Sequence, residues 1–84
     1  MDQATQIEII KIIDYVEDQA TRHFAEDRSK SEPYETNISL GDEHPARAAL
    51  ICKGLTLGLC ELYKASRVYA EIKESHIEIR ISRF

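Results

Sequence analysis

The chain is poor in the residues that build the commonest chemical sites. It holds two cysteines, three glycines and three histidines in 84 residues, and each scarcity closes off a class of function. Cys52 and Cys60 fall inside what reads as one helix. Eight helical residues hold their Cα atoms about 12 Å apart, beyond the roughly 7 Å that a disulfide tolerates. Set among leucines and small residues, both read as reduced core thiols, which fits a reducing, cytoplasmic compartment. His23, His44 and His76 form no Cys-x-x-Cys, His-x-x-x-His or mixed pair at ligand spacing, so no metal is expected. A nucleophilic cysteine needs a base and an electropositive setting, and an apolar helix face supplies neither. Gly54 and Gly58 lie mid-helix and not in a strand-to-helix loop. A phosphate-binding fingerprint is therefore missing, and no cofactor is expected. The expectation is a protein that is not an enzyme.

Long apolar runs are also missing. The stretch from Ala48 to Leu62 is interrupted by Lys53, Thr56 and Glu61, and it falls short of the about 20 residues a bilayer span needs. The start, Met1-Asp2-Gln3, lacks the basic residues of a signal peptide. A soluble chain with no membrane partner is expected. Its length is room for a single domain over residues 1–84, burying roughly 60–65% of the surface exposed when unfolded. Domains this small lean on disulfides, a metal or a second copy. The first two read poorly here, so a homodimer is a natural expectation.

What the chain does have is clear periodicity. Ile9, Ile12, Ile13, Val16, Ala20 and Phe24 recur at offsets of three, four and seven, which predicts an amphipathic helix over 3–28. Its opposite face carries Asp14, Asp18, Arg22 and Glu26, with Asp18 and Arg22 at pairing distance. The polar run 28–33, ending in Pro33, reads as a connector. Tyr34, Thr36, Ile38 and Leu40 alternate with polar residues and predict a strand. Gly41 through Pro45 reads as a helix start, with Asp42 and Glu43 near its positive end. The second helix should run from 45 to at least 65, burying Ala48, Ile51, Cys52, Leu55, Leu59 and Leu62.

Beyond that helix two readings compete. One helix could continue to residue 74, because Lys64, Arg67, Glu71 and Glu74 keep a helical spacing. Alternatively, residues 67–73 form a strand that turns at Glu74-Ser75 into a strand at 76–83. That hairpin would set Ile72 against Ile77, Ala70 against Ile79 and Val68 against Ile81, all facing one side. Against it, Glu71 would oppose Glu78, and the turn has no glycine. The hairpin is preferred, because two isolated strands make a poor sheet. The expected class is α+β, in the order α-β-α-β-β, with two helices packed on one face of a two- or three-stranded sheet.

Charge divides the chain. Residues 1–44 hold eleven Asp and Glu against four Lys and Arg, and residues 45–84 hold seven Lys and Arg against four Glu. The carboxylates Asp14, Glu17, Asp18, Glu26 and Asp27 are explained by a solvated helix face. A phosphate-mimicking role for them is weakened by a net charge of only −4. Lys64, Arg67, Lys73, Arg80 and Arg83 could touch nucleic acid, but glutamates interrupt them and the whole is acidic, which argues against that partner.

One feature is in surplus. On the second helix Leu50 and Leu57 fall away from the main apolar stripe, on the side of Gly54, whereas a helix on a sheet needs one stripe. The paired glycines cost helix propensity, about 1 kcal/mol each against alanine, and point to close approach by something. That something is either the first helix or a partner. The expected interaction surface joins Leu50, Gly54, Leu57 and Glu61 with Asp14 and Asp18 of the first helix. The isoleucine-rich final strand, ending at Phe84, is a second place where a partner could add on. The leading expectation is a small non-enzymatic regulator, adaptor or inhibitor acting on another protein. Such chains are common among phage and mobile-element accessory proteins, a compositional association. The alternative is a nucleic-acid-binding accessory protein that uses the basic C-terminal segment.

Overall fold

The computed structural model describes residues 3–26, 32–41, 44–64 and 66–83. Residues 1–2, 27–31, 42–43, 65 and 84 and the Arg83 side chain lie outside the described residues, and with them the expected end of the first helix at 27–28 and most of the expected connector at 28–33. Five elements follow in order: α1 (Gln3–Glu26), β1 (Tyr34–Ser39), α2 (Pro45–Leu62), β2 (Ser66–Lys73) and β3 (His76–Arg83). The class is α+β, and the sheet has three antiparallel-paired strands in the order β1-β3-β2. Both edge strands pair antiparallel with β3, so β1 and β2 run parallel to each other with β3 between them.

Residues 66–73 are strand, and the hairpin carries the expected register: Ile72 opposite Ile77, Ala70 opposite Ile79, Val68 opposite Ile81. Burial decides this over a continued helix. The alternation puts Ile77, Ile79 and Ile81 of the central strand fully inside, where each removes about 1.5–3 kcal/mol worth of apolar surface from water. The two objections to the hairpin are met locally. Glu74 adopts φ 53°, the left-handed conformation a two-residue turn asks of its first residue even without glycine. Glu71 does oppose Glu78. Lys73 lies 3.8 Å from Glu71 and Arg80 lies 3.7 Å from Glu78, which shields the two carboxylates from each other. The Leu40 N–H donates to the Ser75 carbonyl at 2.8 Å and ties the end of β1 to this turn.

The helices cover one face of the sheet. Val16 of α1, Ile51, Leu55 and Leu59 of α2 and the three isoleucines of β3 form the fully buried centre. At the start of α2 the His44 side chain caps the helix by accepting the Ala46 N–H at Nδ1 (3.1 Å), and Pro45 follows in the first turn. Pro45 lacks the N–H that this position leaves unpaired in any case.

Three expectations need correction. The second helix ends at Leu62 and not at or beyond 65, because Tyr63 closes it and its N–H returns to the Leu59 carbonyl. Leu62 is exposed and lies outside the core. The cysteines are not both core thiols: Cys52 is half-buried and Cys60 is exposed. Cys60 stands about 140° round the helix from Leu55, beyond the reach of the buried stripe.

Candidate protein-docking surface

The surface expected from the sequence divides in two once the helices are placed. Helices α1 and α2 run side by side in the same direction, as the contacts along them show. Arg47, early in α2, reaches Thr5 and Glu8 of α1 at 3.3 and 2.5 Å. Further along, Ile9 lies against Gly54 and Ile13 against Gly58. A Cβ at position 54 would stand 2.6 Å from the Ile9 Cδ1, with Ile9 Cγ1 and Cγ2 both at 3.3 Å. A Cβ at position 58 would meet the Ile13 Cδ1 at 2.5 Å. The close approach that the glycines implied is therefore made by this chain's own first helix. Gly54 belongs to that intramolecular seam.

Leu50 and Leu57 are not sealed by it. Leu57 is 63% exposed and Leu50 42%. Helical geometry gives the reason: each lies about 40–60° further round α2 than Gly54, on the side away from the Leu55 stripe. Alpha1 repeats the pattern. Ile10, next to Ile9, is turned about 100° out of the seam and is 57% exposed, with Ile7 at 45% one turn before it. Ile7 and Ile10 escaped the sequence reading, although the angular count that singled out Leu50 and Leu57 would have found them. Four large aliphatic side chains thus stand on the outer sides of two helices whose inner sides already fill the core.

Acidic groups accompany them. Asp14, Glu17, Asp18 and Thr21 line a shallow depression on α1. Asp18 holds Arg22 at 3.4 Å, and Glu61 of α2 holds Lys64 at 3.1 Å. Near the end of the seam the Tyr63 hydroxyl is buried, and no described group meets it in good hydrogen-bond geometry. Burial pushes its pKa up and the Glu17 charge adds to the rise, while the Thr21 hydroxyl offsets part of it.

The candidate chemical groups are dispersed. His44 Nδ1 is engaged in the helix cap. His23 packs edge-on against Phe24 and over Tyr34, with Nε2 3.1 Å from the Glu32 carbonyl. His76 borders a polar depression with Glu35, Thr36, Asn37 and Glu78 on the open side of the sheet. Burial raises the Cys52 thiol pKa, Glu71 adds to the rise, and Thr56 lowers it in part, the reverse of what an attacking thiolate needs. Among the described residues no group of three or more His, Cys, Asp or Glu could hold a metal ion. No described helix is long and apolar enough to cross a membrane. Comparison with protein-family models, with curated proteins and with solved structures returns no match in any of the three.

Proposed function

We propose that this chain is a non-catalytic interaction module that regulates, adapts or inhibits another protein by docking its outer helical surface onto it. The observation that carries the reading is the exposure of Leu50 and Leu57 beside a core that is complete without them. With Ile7 and Ile10 they make an aliphatic surface, and Asp14, Glu17 and Asp18 supply its charge. The fitting partner offers an apolar groove with basic residues at its rim, because buried aliphatic anchors give affinity and rim charges give orientation and rate. A cytoplasmic setting suits two free thiols.

The alternative partner, nucleic acid, draws less support. Three of the five cations it would use are engaged by neighbouring carboxylates: Arg80 by Glu35 at 2.8 Å and Glu78 at 3.7 Å, Lys73 by Glu71, and Lys64 by Glu61. The open face of the sheet is thereby close to neutral, whereas phosphate binding needs cations in excess.

The test is affinity purification from the native host with wild type and with a Leu50→Glu, Leu57→Glu double variant of unchanged melting temperature. Proteins held by the wild type and released by the variant, at a strength little affected by salt, are the expected result. Equal retention by both, or binding that collapses steeply with added salt, overturns the reading.

A further inference from the structure

We propose that the outer edge of β2 pairs with the same edge of a second copy, joining two three-stranded sheets into one of six strands. The inference is independent of the docking surface above, which lies on the opposite flank of α2.

The edge strands differ in how they are finished. Beta1 is six residues long and follows Pro33, a residue that discourages pairing. Beta2 pairs with β3 over eight consecutive residues without a bulge or a proline, and no described strand pairs with its other side. Ile72 faces the helix-bearing side with Val68 and Ala70, yet it is 38% exposed, as an apolar residue at an uncovered edge would be.

Hydrogen-bond parity fixes which groups that edge presents. The two-residue turn makes Lys73 and His76 a hydrogen-bonded pair, and such pairs alternate along an antiparallel ladder. Arg67, Tyr69, Glu71 and Lys73 therefore direct their N–H and C=O groups to β3. Val68, Ala70 and Ile72 direct theirs outward, and Ser66 presents its carbonyl alone, because its N–H already donates to the Tyr63 carbonyl at 3.0 Å. The Ala70 carbonyl receives the Cys52 thiol at 3.8 Å, a contact weak enough for a backbone N–H to replace.

Self-pairing about a two-fold axis allows few registers, and side-chain charge selects among them. Centred on Tyr69, the pairing sets Arg67 opposite Glu71 on both sides of the axis and Tyr69 opposite itself. On the helix side Val68 then meets Ala70, and Ser66 meets Ile72. A shift to Ala70 sets Arg67 against Lys73, a shift to Glu71 sets two glutamates together, and a shift to Val68 leaves only residues 66–70 to overlap. Opposite charges across a ladder stabilise it and like charges destabilise it. The helices leave room for this arrangement. The flank of α2 away from α1 carries Ala49, Cys52, Thr56 and Cys60, small side chains that allow two helices to sit about 8–10 Å apart.

Sedimentation equilibrium on the intact chain tests the proposal. The wild type is expected to dimerise, and Arg67→Glu or Glu71→Arg alone should weaken association about tenfold, while the double swap restores it. In a Cys52→Ser, Cys60→Ser background, Tyr69→Cys should give a disulfide-linked dimer under mild copper-catalysed air oxidation, because the facing Cα atoms of a non-hydrogen-bonded pair fall within disulfide reach. Lys73→Cys in the same background should not. A wild type monomeric at high micromolar concentration overturns the proposal. So does a dimer that ignores the charge swaps and is not trapped at position 69. Leu57→Glu leaves this seam intact, so failure here and failure of the docking reading are separate results.

Discussion

Alpha2 shows two flanks built from similar materials with opposite fates. On one, Gly54 and Gly58 remove side chains so that Ile9 and Ile13 can settle against the helix backbone. On the other, about 40–60° further round, Leu50 and Leu57 keep large side chains that are only partly covered, at 42% and 63% exposed. The first flank gives up helix propensity to gain contact within the molecule. The second keeps good helix formers and leaves apolar surface in water. An apolar residue stabilises a fold only when the geometry brings a neighbour to it, so burial, and not hydrophobicity, separates the structural side of this helix from the side open to partners.

Four measurements sharpen or break that contrast. The largest effect is expected from the stripe the two flanks share: Leu55→Ala, at a fully buried position, should lower stability by about 2–5 kcal/mol in urea unfolding. Next comes the seam. Gly54→Val should cost about 1–3 kcal/mol, since three atoms of the buried Ile9 crowd the new side chain. Gly58→Ala should be close to neutral, because only the terminal methyl of Ile13 must swing aside and about 1 kcal/mol of helix propensity is regained. Equal costs at the two glycines would mean that the seam closes differently.

Alkaline pH should act on the seam as well. The folded chain holds the phenol of Tyr63, and likewise that of Tyr34, above the ordinary value of 10.0, chiefly through burial. A proton bound more tightly in the folded state gives stability that is complete below about pH 10 and is lost as the pH climbs through the raised value. Stability measured from pH 8 upward should therefore begin to fall near pH 10, and Tyr63→Phe should reduce the fall. The smallest effect belongs to the outer flank: Leu57→Glu should change stability by no more than about 0.5 kcal/mol. A loss of several kcal/mol there would show that the flank is structural after all.

Much of this architecture is legible in the sequence, for identifiable reasons. The hairpin register follows from six residues that must share a face, because a slip of one would turn every isoleucine of β3 into water. The stripe of α1 follows from its spacing. The sequence could say that something approaches Gly54 and Gly58, but it could not say what, because an intramolecular helix and a partner make the same demand. The tether from Arg47 to Thr5 and Glu8 joins residues about 40 apart and leaves no local pattern. The leucines beside Cys60 in sequence suggest an inward thiol, yet neighbours in sequence point elsewhere on a helix, and position round the axis decides. Ile7 and Ile10 share one isoleucine run with the inward Ile9, Ile12 and Ile13, so residue type alone does not separate the outward members from the inward ones.

The strand order has a consequence for how the molecule is born. Beta1 and β2 do not pair with each other; each finds its hydrogen bonds on β3, the last of the three to leave a ribosome. A nascent chain halted before His76 holds two strands with nothing for either to hold on to, and its isoleucine-rich closing segment is still out of reach. Sheet formation must therefore wait until synthesis has reached β3, which then finds β2 just behind it but must draw in β1 from some forty positions upstream.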